Sequence, residues 1–207
     1  MGEPIDPSLA GSEFLGAARA QGFPTLEEIE AKVHREQIAE IVWRTTPRTY
    51  RAAFELPLDP LLADWPLGRT TWAVVFYGPN GRGKTWRATR LLLVAAQRLR
   101  TQSVAWQGAV ELAHDLRARL DAEHRGPDPL EHLARCGVLL LDDALAMRET
   151  EFLAESLRYV LCRRYDHALP TILTMDRPLD DLEPRLANRL QQALLVPCNG
   201  TDFRRQS

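Results

Sequence analysis

The sequence predicts an α/β fold: a five-stranded parallel sheet sandwiched by helices. Three observations carry that expectation. From residue 71 onward, short apolar β-rich runs alternate with stretches of helical periodicity, the pattern of strands joined by crossover helices. One run, TWAVVFY (71–77), leads straight into the glycine-rich GPNGRGKT (78–85) and then an amphipathic stretch. Another, VLLL (138–141), is wholly apolar and ends on Asp142-Asp143. Such continuous apolar runs suit strands covered on both faces, as parallel strands are.

Taken in order, residues 1–24 hold glycines and prolines without sustained periodicity and read as a tail. Thr25-Leu26-Glu27-Glu28 is a capping box, and apolar Leu26, Ile29, Val33, Ile38, Ile41 and Val42 continue a helix to about Trp43. Pro47, Pro57, Pro60 and Pro66 break the next segment, residues 44–70, into a connection with short helices at most. Residues 1–66 are thus expected as an arm, helix and linker, and 67–207 as the main domain. Within the latter the patterns predict a strand over 71–77, a helix over 84–100, a strand near 103–106 and a helix over 109–120. A loop with Gly126, Pro127 and Pro129 leads to a short helix near 130–134, and the VLLL strand follows. The remainder reads as a helix over 151–165, a strand over 171–175, a helix over 181–192 and a strand over 194–196. In such sheets chemistry gathers at the carboxyl ends of the strands.

Composition narrows the class. A chain of 207 residues with 45% hydrophobic residues buries one core of ordinary size. Its net charge of −2 argues against coating nucleic acid by bulk charge, while leaving room for local basic tracks. No apolar run is long enough to span a membrane, and the N-terminus lacks an export signature, so a cytoplasmic protein is expected. Cys136, Cys162 and Cys198 lack metal-ligand spacing and read as buried free thiols.

Gly78-Pro79-Asn80-Gly81-Arg82-Gly83-Lys84-Thr85 satisfies G-x-x-x-x-G-K-[ST] in full. Its glycines allow a tight turn whose N–H groups approach a polyphosphate, and the following helix adds its positive end. Lys84 is expected to neutralise the β- and γ-phosphates and Thr85 to ligate Mg²⁺. The chain has only two lysines, against 24 arginines, so a lysine here is informative. A compact ammonium enters a curled loop where a planar guanidinium would crowd it.

Asp142 and Asp143 end the most apolar strand, 58 residues beyond Lys84. Two carboxylates there are costly unless they meet a cation or a solvated cleft. Asp142 fits a Mg²⁺ holder, and Asp143 fits the group that orients an attacking water or, alternatively, a simple cap. Asp176 follows the strand 171–175 and so reaches the same edge, where it or Thr174 could sense that water; the alternative is a turn aspartate before Pro178. Arg185 and Arg189, four apart, share one helix face. They read as arginine fingers for a neighbouring subunit, or else as a solvated face or partners of Asp181 and Glu183.

These motifs resemble the AAA+ ATPases, and among them the DnaC-type helicase loaders and IstB-type transposition helpers. The resemblance runs from about Pro47 to Pro197 and rests on GPNGRGKT (78–85), VLLLDDALAMRET (138–150), LRYVLCRRYDHALPTILTMDRPLDDL (157–182) and RLANRL (185–190). It implies a P-loop NTPase core with Asp176 at the sensor 1 position, where asparagine is usual, and Arg189 as arginine finger, with Arg185 second. An ionised aspartate only accepts hydrogen bonds, whereas asparagine also donates. About ten residues follow the final strand, so no helical lid is expected.

The resemblance therefore implies an ATP- and Mg²⁺-binding ATPase that assembles as an ATP-dependent homo-oligomer on single- or double-stranded DNA or on a replicative helicase. Its alternatives are an IstB-like helper of a transposase and a nucleotide-binding structural module with negligible hydrolysis. A P-loop small-molecule kinase fits poorly, because the insertion over 121–129 is short and acidic for a lid. Basic groups at Arg44/Arg48/Arg51, Arg117/Arg119, Arg158/Arg163/Arg164 and Arg204/Arg205 are candidate DNA contacts or solvated faces.

Overall fold

The computed structural model describes residues 24–67, 71–121, 127–144, 151–176, 179 and 182–200. The expected tail, most of the 121–129 insertion, the 145–150 part of the second motif, Asp181, Arg204 and Arg205 lie outside the described residues. The chain divides into two compact units, Met1–Gln37 and Ile38–Ser207. In the first, the described residues open helix α1 (Leu26–Thr45). The capping box forms as expected: Glu28 N–H donates to Thr25 Oγ1 at 3.1 Å, and Thr25 N–H to Glu28 Oε2 at 2.7 Å.

In the second unit five strands form one parallel sheet in the order β2-β3-β4-β1-β5. They are β1 (Ala73–Tyr77), β2 (Val104–Gly108), β3 (Val138–Asp142), β4 (Thr171–Met175) and β5 (Leu194–Pro197). The connecting helices are α2 (Lys84–Arg98), α3 (Ala109–Asp121), α4 (Pro129–Arg135), α5 (Glu151–Asp166) and α6 (Pro184–Leu190). The last is shorter than its periodicity suggests, because Pro184 occupies the first turn, where its missing N–H is harmless. Among the described residues no helix is long and apolar enough to cross a membrane.

Alternation along the buried strands sorts their side chains onto two cores. Val75, Leu139, Leu141, Leu173 and Met175 pack with residues of α3, α4, α5 and α6. Val74, Phe76, Leu140, Ile172 and Val196 face α2. That second core also takes in Ile38, Val42, Leu62 and Trp65, all buried. Arginines of α2 hold the proline-rich segment there. Arg87 pairs with Asp59, Arg90 Nη1 donates to Phe54 O at 2.6 Å, and Arg98 Nη1 donates to Leu62 O at 3.2 Å and Trp65 O at 2.7 Å.

A buried cation fixes the opposite face. Arg164 on α5, fully enclosed, donates to the carbonyls of Leu133, Cys136 and Pro170 and to Thr171 Oγ1, all within 2.7–2.8 Å. These bonds tie the end of α4 and the entrance of β4 to one side chain. They also remove Arg164 from the exposed basic groups that the sequence offered for DNA. The three thiols are free, with Cys136 and Cys198 buried but Cys162 only half-buried on α5. Because all strands run the same way, the residues following β1, β3 and β4 meet at one edge.

Candidate functional site

The turn after β1 is made by three glycines with left-handed backbone, Gly78, Gly81 and Gly83. Gly78 has a second constraint: a Cβ there would lie 2.7 Å from the carbonyl oxygen of Cys198. The backbone just beyond β5 thus abuts the turn, and only glycine fits. Gly83 caps α2 in the left-handed region, and the first turn of a helix presents N–H groups that have no intrahelical acceptor.

Lys84 opens α2 and curls back into this turn. Its Nζ donates to Gly78 O at 2.8 Å, Pro79 O at 3.0 Å and Asn80 Oδ1 at 3.3 Å. The side chain is buried, and burial pulls its pKa below the ordinary lysine value against the opposing pull of Asp143, Asp176, Cys198 and Asp142. Arg82 turns elsewhere, donating to Gly200 O at 2.5 Å.

Asp142 is the last residue of β3 and is also buried. Burial pushes its pKa above the carboxylate range, opposed by hydrogen bonds from the hydroxyls of Thr174 and Thr85 and by Lys84, while Asp143 pushes the same way as burial. Thr174, on β4, donates to Asp142 Oδ1 at 2.7 Å and accepts from Asp143 N–H at 2.8 Å. Ala144 N–H adds a 2.9 Å bond to Thr174 O. These contacts hold Asp143 exposed on a left-handed backbone (φ 54°), a conformation uncommon for any residue but glycine. Asp176 follows β4, and its Oδ1 is buried without a hydrogen-bond partner among the described residues.

The structure therefore gathers Gly78–Thr85, Asp142, Asp143 and Asp176 at one sheet edge. Between the two buried charges, Lys84 and Asp142, no ion pair forms among the described residues. An ammonium and a carboxylate, both desolvated and facing one region, suit a ligand that carries negative and positive charge together. The orphan Asp176 oxygen points the same way, since buried acceptors without donors are rare.

Arg185 and Arg189 stand apart from this edge. Arg189 O accepts from Trp72 Nε1 at 3.2 Å, which puts it at the amino end of β1, opposite the glycine turn. Glu183 is 3.8 Å from Arg158, and Arg189 pairs with Asp166 at 3.9 Å. Sequence reasoning offered Thr174 only as a rival to Asp176; its bond to Asp142 across a strand pair carries no local signal. The approach of Cys198 to Gly78 was likewise hidden by 120 residues of separation.

A left-handed glycine turn from a buried strand into a helix, facing an apolar strand that ends on aspartates, defines a P-loop NTPase core of the AAA+ type. Residues 62–196 match the family described as IstB-like ATP binding protein, and the chain belongs to that family. No curated protein sequence matches it significantly. Solved structures of similar fold include a DnaC helicase loader (20% identity, TM-score 0.55, 74% of this chain and 100% of that one). Domain III of the Thermotoga maritima replication initiation protein DnaA is similar at 20% identity, TM-score 0.56, 78% of this chain and 67% of that one. AMPPCP-bound DnaA from Aquifex aeolicus matches at 21% identity and TM-score 0.53, over 64% of this chain. This chain spans 41% of that DnaA, and 44% of a related DNA replication initiation factor.

The site makes a stability prediction. Because the folded Asp142 carboxyl sits above its ordinary range, its ionised form weakens folding at neutral pH and not below the ordinary carboxylate range. In urea denaturation Asp142→Asn is expected to be more stable than the parent at pH 7. The difference should close as pH falls below the carboxylate range. A variant less stable at pH 7 would contradict the assignment.

Proposed function

We propose that this protein is an ATPase acting in DNA replication as a DnaC-like helicase loader, assembling through ATP on DNA or on a replicative helicase. The observation that carries the reading is the pair of buried, mutually unpaired charges, Lys84 and Asp142, across the edge that holds the glycine turn. In this reading the turn's N–H groups and Lys84 take the β- and γ-phosphates. Thr85 and Asp142 hold Mg²⁺, which when bound supplies charge neutralisation across the transferred phosphate. Thr174 keeps Asp142 in that orientation. Asp143, exposed and fixed by its own N–H, orients the attacking water, and Asp176 accepts a hydrogen bond from it. Arg189, with Arg185 beside it, reaches the nucleotide of a neighbouring copy, because its own nucleotide lies at the other end of β1.

ATP then favours the assembled state and hydrolysis weakens it, a shift driven by differential contact with the γ-phosphate. Helix α1 supplies partner specificity, and a cytoplasmic location follows from such partners. The family match supports a second reading, a helper that delivers a transposase to DNA. Direct binding assays against a replicative helicase and a transposase separate the two. The unpartnered Asp176 oxygen supports a third, a nucleotide-binding module with negligible hydrolysis, since a carboxylate beside a γ-phosphate repels it.

Light scattering with and without ATP and single-stranded DNA tests assembly. The parent is expected to grow with ATP, and Arg189→Ala to bind ATP without growing. Lys84→Ala should do neither, its ATP affinity falling roughly 10- to 100-fold with the charged hydrogen bonds. A parent whose size ignores ATP, or a Lys84→Ala variant that behaves like it, contradicts the proposal. Turnover of Asp176→Asn beside the parent decides the third reading: a large gain favours the module, and no change removes it.

A further inference from the structure

The finger arginine has surroundings of its own. The Arg189 guanidinium lies over the face of Tyr165, 5.2 Å from the ring centroid. Tyr165 is held in turn from two sides: Trp72 meets it edge-on at 5.5 Å, and its hydroxyl donates to Gln192 Oε1 at 3.1 Å. Trp72 also fixes the Arg189 backbone through its indole N–H. Against this cradle the ion pair to Asp166 is long, at 3.9 Å, and Arg189 Nε is buried without an acceptor among the described residues. The side chain is 28% exposed, and among the described residues its outer nitrogens have only that long contact to Asp166, so they are open to an acceptor from outside.

The space for one is present. Arg189 borders an open groove of about 720 Å³ between α5 and α6, which Arg158, Arg185, Tyr159 and Asn188 also line. Arg185 makes no ion pair among the described residues. Arg158 is already held by Glu155 and Glu183, while Arg185 is thus unpaired there and Arg189 only loosely paired, so these two leave positive charge for an anionic occupant. The chain's own phosphate turn cannot supply it. Trp72 precedes β1 and Gly78 follows it, a separation of about 20 Å at the usual rise per strand residue.

We propose that Tyr165, braced by Trp72 and Gln192, positions Arg189 for the nucleotide of a second copy of this chain, and that the α5–α6 groove receives that copy's phosphate-bearing edge. The inference rests on the reading of Arg189 as a finger acting between copies. Tyr165 is a positioning residue, acting only through Arg189. Because Trp72 leads into the strand that carries the glycine turn, each protomer holds its donor and its acceptor edges at a fixed spacing. The weak Asp166 contact is given up when a phosphate arrives, since a doubly charged oxyanion cluster outcompetes one exposed carboxylate.

Turnover measured across protein concentration tests this. Tyr165→Leu is expected to lower the concentration-dependent turnover roughly three- to thirtyfold, the range of a lost cation–π contact, with ATP affinity of the dilute protein unchanged. Tyr165→Phe, which keeps the ring face, should stay within about twofold of the parent. Mixing Tyr165→Leu with Lys84→Ala should restore turnover, because the second variant brings an intact finger to the first variant's intact site. A general folding defect would not be rescued. Full activity of Tyr165→Leu alone overturns the cradle, as does a loss that Lys84→Ala fails to rescue while it rescues Arg189→Ala. If Arg189→Ala is harmless or is not rescued, or if the parent shows no concentration-dependent turnover, the finger reading fails and the cradle with it.

Discussion

Two buried charges that do not touch organise this protein. Lys84 and Asp142 stand at the carboxyl ends of β1 and β3, and β4 lies between those strands. Burial desolvates each, so each is pushed toward its neutral form. Their partners are chosen to tolerate that state: carbonyls and an amide oxygen for Lys84, hydroxyls for Asp142. None of these partners carries a charge, so an ionic ligand can enter without first breaking an ion pair.

Thr174 makes the arrangement rigid. A single hydroxyl at the end of β4 donates to one aspartate and accepts from the backbone of the next, spanning β3 and β4. It converts a sheet register into a side-chain orientation. The scaffold behind it is braced on both faces, by the arginines of α2 that seat the proline-rich segment and by Arg164 beneath β4. Burial of a cation such as Arg164 without a carboxylate is tolerable because its N–H groups find acceptors at short range. Disrupting either brace would disturb the strands whose ends form the site.

Much of this was legible in the sequence where the cause is local. The capping box at Thr25, the strand over 171–175 and the GPNGRGKT turn depend on neighbours a few residues away, and each appears as read. The ends of α6 were not, because helical periodicity extends past Pro184 while the proline sets the start. Residues 44–70 read as a mere connection because prolines suppress periodicity. Their burial of Leu62 and Trp65 is decided by arginines on α2, more than 30 residues away. The pattern of alternating strands announced a parallel sheet, but nothing in it places β4 between β1 and β3. For that reason the contact of Thr174 with Asp142, and of Trp72 with Tyr165 and Arg189, had to come from the structure.

The most direct test of the central claim compares ATP, ADP and AMP by titration calorimetry in the presence of Mg²⁺. If the glycine turn and Lys84 grip the β- and γ-phosphates while Asp142 and Thr85 face the metal, ATP and ADP bind and AMP does not, and removing Mg²⁺ weakens ATP most. Equal affinity for AMP, or ATP binding indifferent to Mg²⁺, would mean that the two buried charges do not hold a metal–polyphosphate complex between them.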